Sequence, residues 1–174
     1  MEKKVTTHFT KGLIIGLIMV VIGLVFQVMD IYERWVQWVT LALYMGAIVW
    51  ACISYANEME GNVTFGKVFG HGFKTAAIVA LISIIAFAVT YFIMPEIKDK
   101  AMEKAREEMA KNPQMTEEMI DQAIAMTSKF FFLFGVVGSL FAYAFIGLIG
   151  SLIGAGFAKK NPNSNMPQSM QILS

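Results

Sequence analysis

The feature that most constrains this chain is a set of four long stretches without a charged or histidine side chain: Gly12 to Met29, Trp35 to Tyr55, Thr75 to Met94 and Phe130 to Ala158. A helix rises ~1.5 Å per residue and the hydrocarbon core of a bilayer is ~30 Å thick, so ~20 apolar residues cross it. Buried helices of soluble proteins rarely stay uncharged for such lengths, still less four times over. The strands of a membrane β-barrel would alternate over ~10-residue segments, whereas these runs are continuous. Composition agrees, with 56% of residues apolar and 16% charged, against about 45–50% and about 25% in soluble domains. The expected fold class is therefore all-α integral membrane. Four transmembrane helices are placed over about 12–29, 35–55, 75–94 and 130–158, because a helix satisfies its own backbone hydrogen bonds in lipid.

The remaining global features exclude several classes. The 174 residues suit one domain, here a single four-helix membrane domain over 1–160. A net charge of +1 gives no field that would draw nucleic acid. One cysteine, Cys52, cannot form an internal disulfide. The basic start at Lys3, Lys4 and Lys11 resembles the head of a signal peptide, but the apolar run that follows is longer than a signal core. The bulky Val28-Met29-Asp30-Ile31-Tyr32 that ends it is no cleavage site. The first run is thus expected to stay as a helix. The last residues, 161–174, have little apolar content and two prolines, and are expected to form a disordered cytoplasmic tail.

Four spans put both termini on one side of the membrane. Cations divide equally between the sides, so their number does not orient the chain. On the terminal side, however, Lys3, Lys4, Lys11, Lys67, Lys74, Lys159 and Lys160 crowd the membrane edge with few carboxylates among them. On the far side most cations lie in one mixed-sign segment. Both termini are therefore expected in the cytoplasm.

The connections carry the polar residues. Asp30 to Arg34 is short and makes the first two spans an antiparallel pair, with Tyr32, Trp35 and Trp38 at the interface. Between the second and third spans, Thr64 can cap a short interfacial helix with Phe65, Val68, Phe69 and Phe73 on one face. Lys67, His71 and Lys74 fall on another face at i, i+4 and i+7, and form a candidate contact for an anionic headgroup, with snorkelling flank charges the plainer reading. The segment 95–129 reads as an extracytoplasmic helical hairpin broken at Asn112-Pro113, its second arm opened by Thr116. Met102, Ala105 and Met109 mirror Met126, Ala123 and Met119 about residue 114, as a seam between antiparallel arms would. With no proline between Gln114 and Asn161, the second arm is expected to run on into the fourth span.

Chemistry is sparse. The spans hold no ionisable group of the kind that proton-coupled transport or catalysis uses. Cys52 reads as a packing residue. His8 and His71 lie far apart in sequence without Cys or carboxylate at ligand spacing, and the many methionines match packing rather than copper. No metal or cofactor is expected, and the chain is not expected to be an enzyme. What the spans do offer is small residues one turn apart: Gly147 and Ser151, Gly150 and Gly154 in the fourth, Gly12 and Gly16 in the first. Such grooves let helix backbones approach closely in lipid. The expected use is packing of the first span against the fourth, with a homo-oligomer through the Gly147–Gly154 surface as the alternative.

Gly70-His71-Gly72-Phe73-Lys74-Thr75 entering the third span, Pro95-Glu96 leaving it, a charged Glu- and Met-rich segment, and a Gly/Ser-rich last span ending in Lys159-Lys160 resemble a family of small four-span membrane proteins of unknown function common in Bacteroidota. The resemblance implies the inner membrane of a Gram-negative cell and no particular activity. The expected function is structural or interaction and regulatory, with the bilayer as environment and a membrane or periplasmic protein as partner through the 95–129 hairpin. A small-solute transporter or channel-like oligomer is the alternative, and an envelope-lipid enzyme a third.

Overall fold

The computed structural model describes residues 5–29, 31 and 34–161. Lys3, Lys4, the interfacial Tyr32 and the tail from 162 onward lie outside the described residues. Six helices follow one another: α1 His8–Val28, α2 Arg34–Glu58, α3 Phe65–Ile93, α4 Glu96–Ala110, α5 Glu117–Lys129 and α6 Phe131–Phe157. Among the described residues there is no strand. α1, α2, α3 and α6 are long and apolar enough to cross a membrane. Large apolar side chains stand exposed along all four, among them Leu17, Trp38, Leu81, Phe92, Phe141 and Phe145. A surface this apolar is unlike that of a monomeric soluble protein.

The helices begin where side chains can cap them. Thr7 Oγ1 accepts from Thr10 N at 3.2 Å, Thr64 Oγ1 from Lys67 N at 3.4 Å and Thr116 Oγ1 from Met119 N at 3.3 Å. α1 and α2 are thus longer than their apolar runs and take in His8, Lys11 and Glu58. α3 differs more from expectation. The short interfacial helix is no separate element: its residues are the first turns of an unbroken α3. Three glycines there argue against helix by propensity, but Gly72 is required by packing. A Cβ on it would collide with Cys52 Sγ and stand 2.9 Å from Ser151 Oγ.

The chain groups into two compact units, Met1–Ser83 with Ala142–Ser174, and Ile84–Phe141, where the sequence reads as one domain. In the first unit the backbone of α6 lies close to α2 and α3. A Cβ on Gly147 would meet Ala76 at 2.6 Å, one on Gly150 Ile48 at 3.3 Å, and one on Gly154 Cys52 at 2.6 Å. Gly12 and Gly16 of α1 instead face Ile78 and Ile82 of α3, each at 2.7 Å. The sequence led one to expect the two small-residue grooves to pack on each other; at these glycines the nearest neighbours are instead side chains of α2 and α3. Each takes up larger side chains of α2 and α3. Tyr44, Ile48, Ala51 and Val79 form the covered core, and Tyr44 donates its hydroxyl to the Tyr143 carbonyl at 3.0 Å.

In the second unit Phe87, Tyr91, Phe131 and Phe132 pack as a cluster of rings. α4 and α5 are joined through the turn at Asn112, whose Oδ1 accepts from Gln114 N at 3.1 Å, and through an Arg106–Asp121 ion pair. The ion pair lies within one residue of the register mirrored about residue 114. The seam itself differs: Met119 and Met126 are 50% and 64% exposed, and Ile120 is the buried residue of α5. The sequence mirror matched residue types, whereas the helix face is set by rotation about the axis, which turns Ile120 inward. α5 does not run into α6 either. Phe130, at φ −108° and ψ 15°, interrupts the helix between them.

Candidate functional site

The start of α1, the end of α2 and the start of α3 come together in the first unit, and there the polar side chains gather. Lys11 on α1 is 3% exposed. Its Nζ lies 2.9 Å from Glu58 Oε1 and donates to Ser54 Oγ at 3.0 Å, both acceptors on α2. Ser54 Oγ donates to the same Glu58 oxygen at 2.9 Å, and the Thr6 N–H donates to Glu58 Oε2 at 2.7 Å. Three donors thus converge on one carboxylate, which offsets the cost of covering the lysine.

His71 of α3 lies beside this network. Its ring stacks on Tyr55 at 4.1 Å between centroids and 10° between planes, and meets His8 edge-on at 6.0 Å. Its Nε2 is buried without a hydrogen-bond partner. One turn on, Thr75 Oγ1 donates to the His71 carbonyl at 2.8 Å. A pocket of about 350 Å³ opens next to the ion pair, lined by Trp50, Ile53, Ser54, Asn57 and Glu58. A second, of about 520 Å³, is lined by Asn57, Glu60, Gly61, Lys159, Lys160 and Asn161. There Lys160 Nζ donates to the Ala155 and Gly156 carbonyls at the end of α6 and to that of Ala158 just beyond it, and stands 5.8 Å from the Phe65 ring centre.

The stripe Lys67, His71 and Lys74 does not hold together as one surface. Lys67 and Lys74 are exposed, while His71 turns inward and is covered to 8% exposure. Phe65, Phe69 and Phe73 stack one above another along α3, whereas Val68, expected on their face, is fully buried. Gly12, Gly16, Gly147, Gly150, Ser151 and Gly154 are all buried, with Ser151 Oγ donating to the Gly147 carbonyl at 2.6 Å. Cys52 is fully buried, its Sγ 3.8 Å from the Val68 carbonyl. His8 and His71, separate in sequence, are neighbours here. Among the described residues no three His, Cys, Asp or Glu side chains are grouped to hold a metal.

The sequence reading missed Lys11, Ser54, Tyr55, Glu58 and Thr75 as a group. One signal was present: two spans joined by a short turn bring the first turn of one level with the last turn of the other. A lysine and a glutamate at those places therefore face each other across the pair.

The described residues form helices alone, four of them long and apolar enough to cross a membrane, which is the character of a multi-pass membrane protein. A family model described as "Protein of unknown function (DUF4199)" matches residues 10–160, and the chain belongs to that family. No curated protein and no solved structure matches it.

Proposed function

We propose that this protein has a structural or interaction role in the bacterial inner membrane, with both termini in the cytoplasm and α4–α5 as a helical hairpin outside it. The observation that carries this reading is the character of α4 and α5. They are charged along their exposed faces, cover one residue, Ile120, and are tied together by Arg106–Asp121. A polar pair of helices between two membrane-length apolar ones suits the recognition of a membrane or periplasmic protein. Photocrosslinking residues at exposed positions 104, 107 and 122, in cells, should trap the same partner from all three. Absence of any adduct, with expression intact, would reject the role. A periplasm-dependent reporter fused after Ser174 should stay silent, and its activity would overturn the orientation.

The buried ion pair beside the Ser54–Glu58 pocket favours a second reading, transport of a small polar solute, since ionisable groups within membrane helices mark solute paths. Flux of small solutes into liposomes holding the purified protein separates the two. Exposed Lys67 and Lys74 next to the Phe65–Phe69–Phe73 stack further support a resting contact with anionic lipid headgroups. We assign no catalytic role.

A further inference from the structure

We propose that the His71 imidazole is a proton-binding site that controls a latch, the segment from Thr6 to Lys11 held against α2 and α3. The groups facing the ring are His8 and Lys11 from α1, Tyr55 and Glu58 from α2, and Lys74 from α3 itself. A neutral ring suits this place: it lies flat on Tyr55 and edge-on to His8. A proton gained there gives a cation whose Nε2 has no acceptor, in the neighbourhood of Lys11. Among the described residues Glu58 is the carboxylate near the ring, and it already receives Lys11, Ser54 and the Thr6 N–H. A covered charge without a partner is costly, so either the proton leaves or the surroundings move.

The parts that can move are unequal. α3 is held on both sides of His71, by Val68 and Thr75 at 0% exposure and by Gly72 against Cys52 and Ser151. The start of α1 is held to α2 by the bonds of Thr6 and Lys11 to Glu58 and Ser54, which meet at the one Glu58 carboxylate, and to α3 by the His8 carbonyl, which accepts from Thr75 Oγ1 at the long distance of 3.5 Å. Swinging this segment outward removes His8 and Lys11 from the ring, opens its Nε2 to water and frees Glu58 to take the new cation as partner. Proton uptake by His71 therefore unlatches the start of α1, and proton loss closes it. This inference does not depend on the interaction role proposed above.

The test uses the full chain in detergent with Cys52→Ser, and spin labels at Val5→Cys and Asn57→Cys, two exposed positions on either side of the latch. The distance between labels is measured by pulsed electron resonance as pH falls through the range of imidazole titration. The expected result is one short, narrow distribution in base that lengthens and broadens in acid. His71→Gln and His71→Phe, which cannot take the proton, should keep the short distribution throughout the imidazole range, where Glu58 stays ionised, while His8→Asn should still respond. An unchanged distance in the parent overturns the proposal. So does an acid response that persists in either folded His71 variant, which would assign the proton to Glu58 or His8. Two replacements of different polarity keep the test decisive if one of them does not fold.

Discussion

The two compact units are built from the same kind of apolar helix and hold together by different means. In the first, backbones come close: glycines on α1, α3 and α6 leave room for Ile78, Ile82, Cys52 and Ala76, and one end is closed by a buried ion pair. In the second, rings do the filling: a Cβ on Gly135 would run into the ring of Phe87, and Phe87, Tyr91, Phe131 and Phe132 stack among themselves. Helices in lipid gain little from hiding apolar surface, since the tails are as apolar as leucine, and depend on close packing. The first unit has that packing. The second divides its work between ring packing and a polar helix pair that covers Ile120. Added atoms should therefore cost most where helix backbones come close, as at Gly72, Gly147 and Gly154, and least at open glycines such as Gly138.

The largest expected effect tests this directly. A Cβ at Gly154 would stand 2.6 Å from Cys52 Cβ and 3.1 Å from the Val49 backbone, so Gly154→Leu must push helices apart. The loss should reach or exceed the upper end of the ~1–3 kcal/mol usual for overpacking. Gly138 in the second unit meets nothing within 4 Å, and Gly138→Leu should leave the thermal midpoint in detergent unchanged. Equal losses would mean that close approach of helix backbones does not set the cost.

The ion pair comes next. Glu58→Ala leaves Lys11, 2% exposed at its side chain, without its counter-charge, and should cost about 3 kcal/mol. Lys11→Met leaves a glutamate that is 21% exposed and reachable by water, so its cost should be clearly smaller. Thermal unfolding of the two variants side by side gives the order, and the reverse order would mean that Lys11 is better solvated than its burial implies.

These residues also show how far the sequence could be read. The four long helices follow from the apolar runs, and Thr64, Thr116 and the Asn112-Pro113 break mark real helix boundaries, because caps and apolarity are local signals. The start of α3 was not legible, since what holds Gly72 in a helix is the closeness of Cys52 and Ser151, far away in sequence. The inward turn of His71 was hidden for the same reason. A helical wheel orders residues around an axis but does not say which sector meets the neighbouring helix. Lys11 and Glu58 lie just outside the apolar runs, and counting apolar residues stops short of them although α1 and α2 continue through them.

Within α4 and α5 the third comparison is between the buried and the exposed apolar residues. Ile120 is 6% exposed, and Ile120→Ala should cost about 2 kcal/mol, the low end for a buried isoleucine, because the site is small and close to water. Met119 and Met126, at 50% and 64% exposure, should each change by less than ~0.5 kcal/mol on truncation to alanine. Hydrogen exchange of the α4 and α5 amides would report both. Protection that depends on Met119 or Met126 instead would restore the methionine seam read from the sequence.

The smallest effect belongs to the second unit's own ion pair and completes the contrast with Lys11–Glu58. Arg106 and Asp121 are 48% and 60% exposed at their side chains. Each charge keeps most of its water whether or not the pair forms, so little desolvation is lost when it breaks, and salt screens what attraction there is. Arg106→Ala should thus cost well under ~1 kcal/mol. The double substitution with Asp121→Ala should cost close to the sum of the two single ones, and the small coupling that remains should fade as ionic strength rises. The pair sets the register of α4 on α5 more than it holds them together. Arg106→Glu, which places two like charges face to face, should therefore disturb the α4–α5 amides more than Arg106→Ala does. A coupling as large as that of Lys11 with Glu58, insensitive to salt, would mean that this surface is covered, and a bound partner over α4–α5 would then be the place to look.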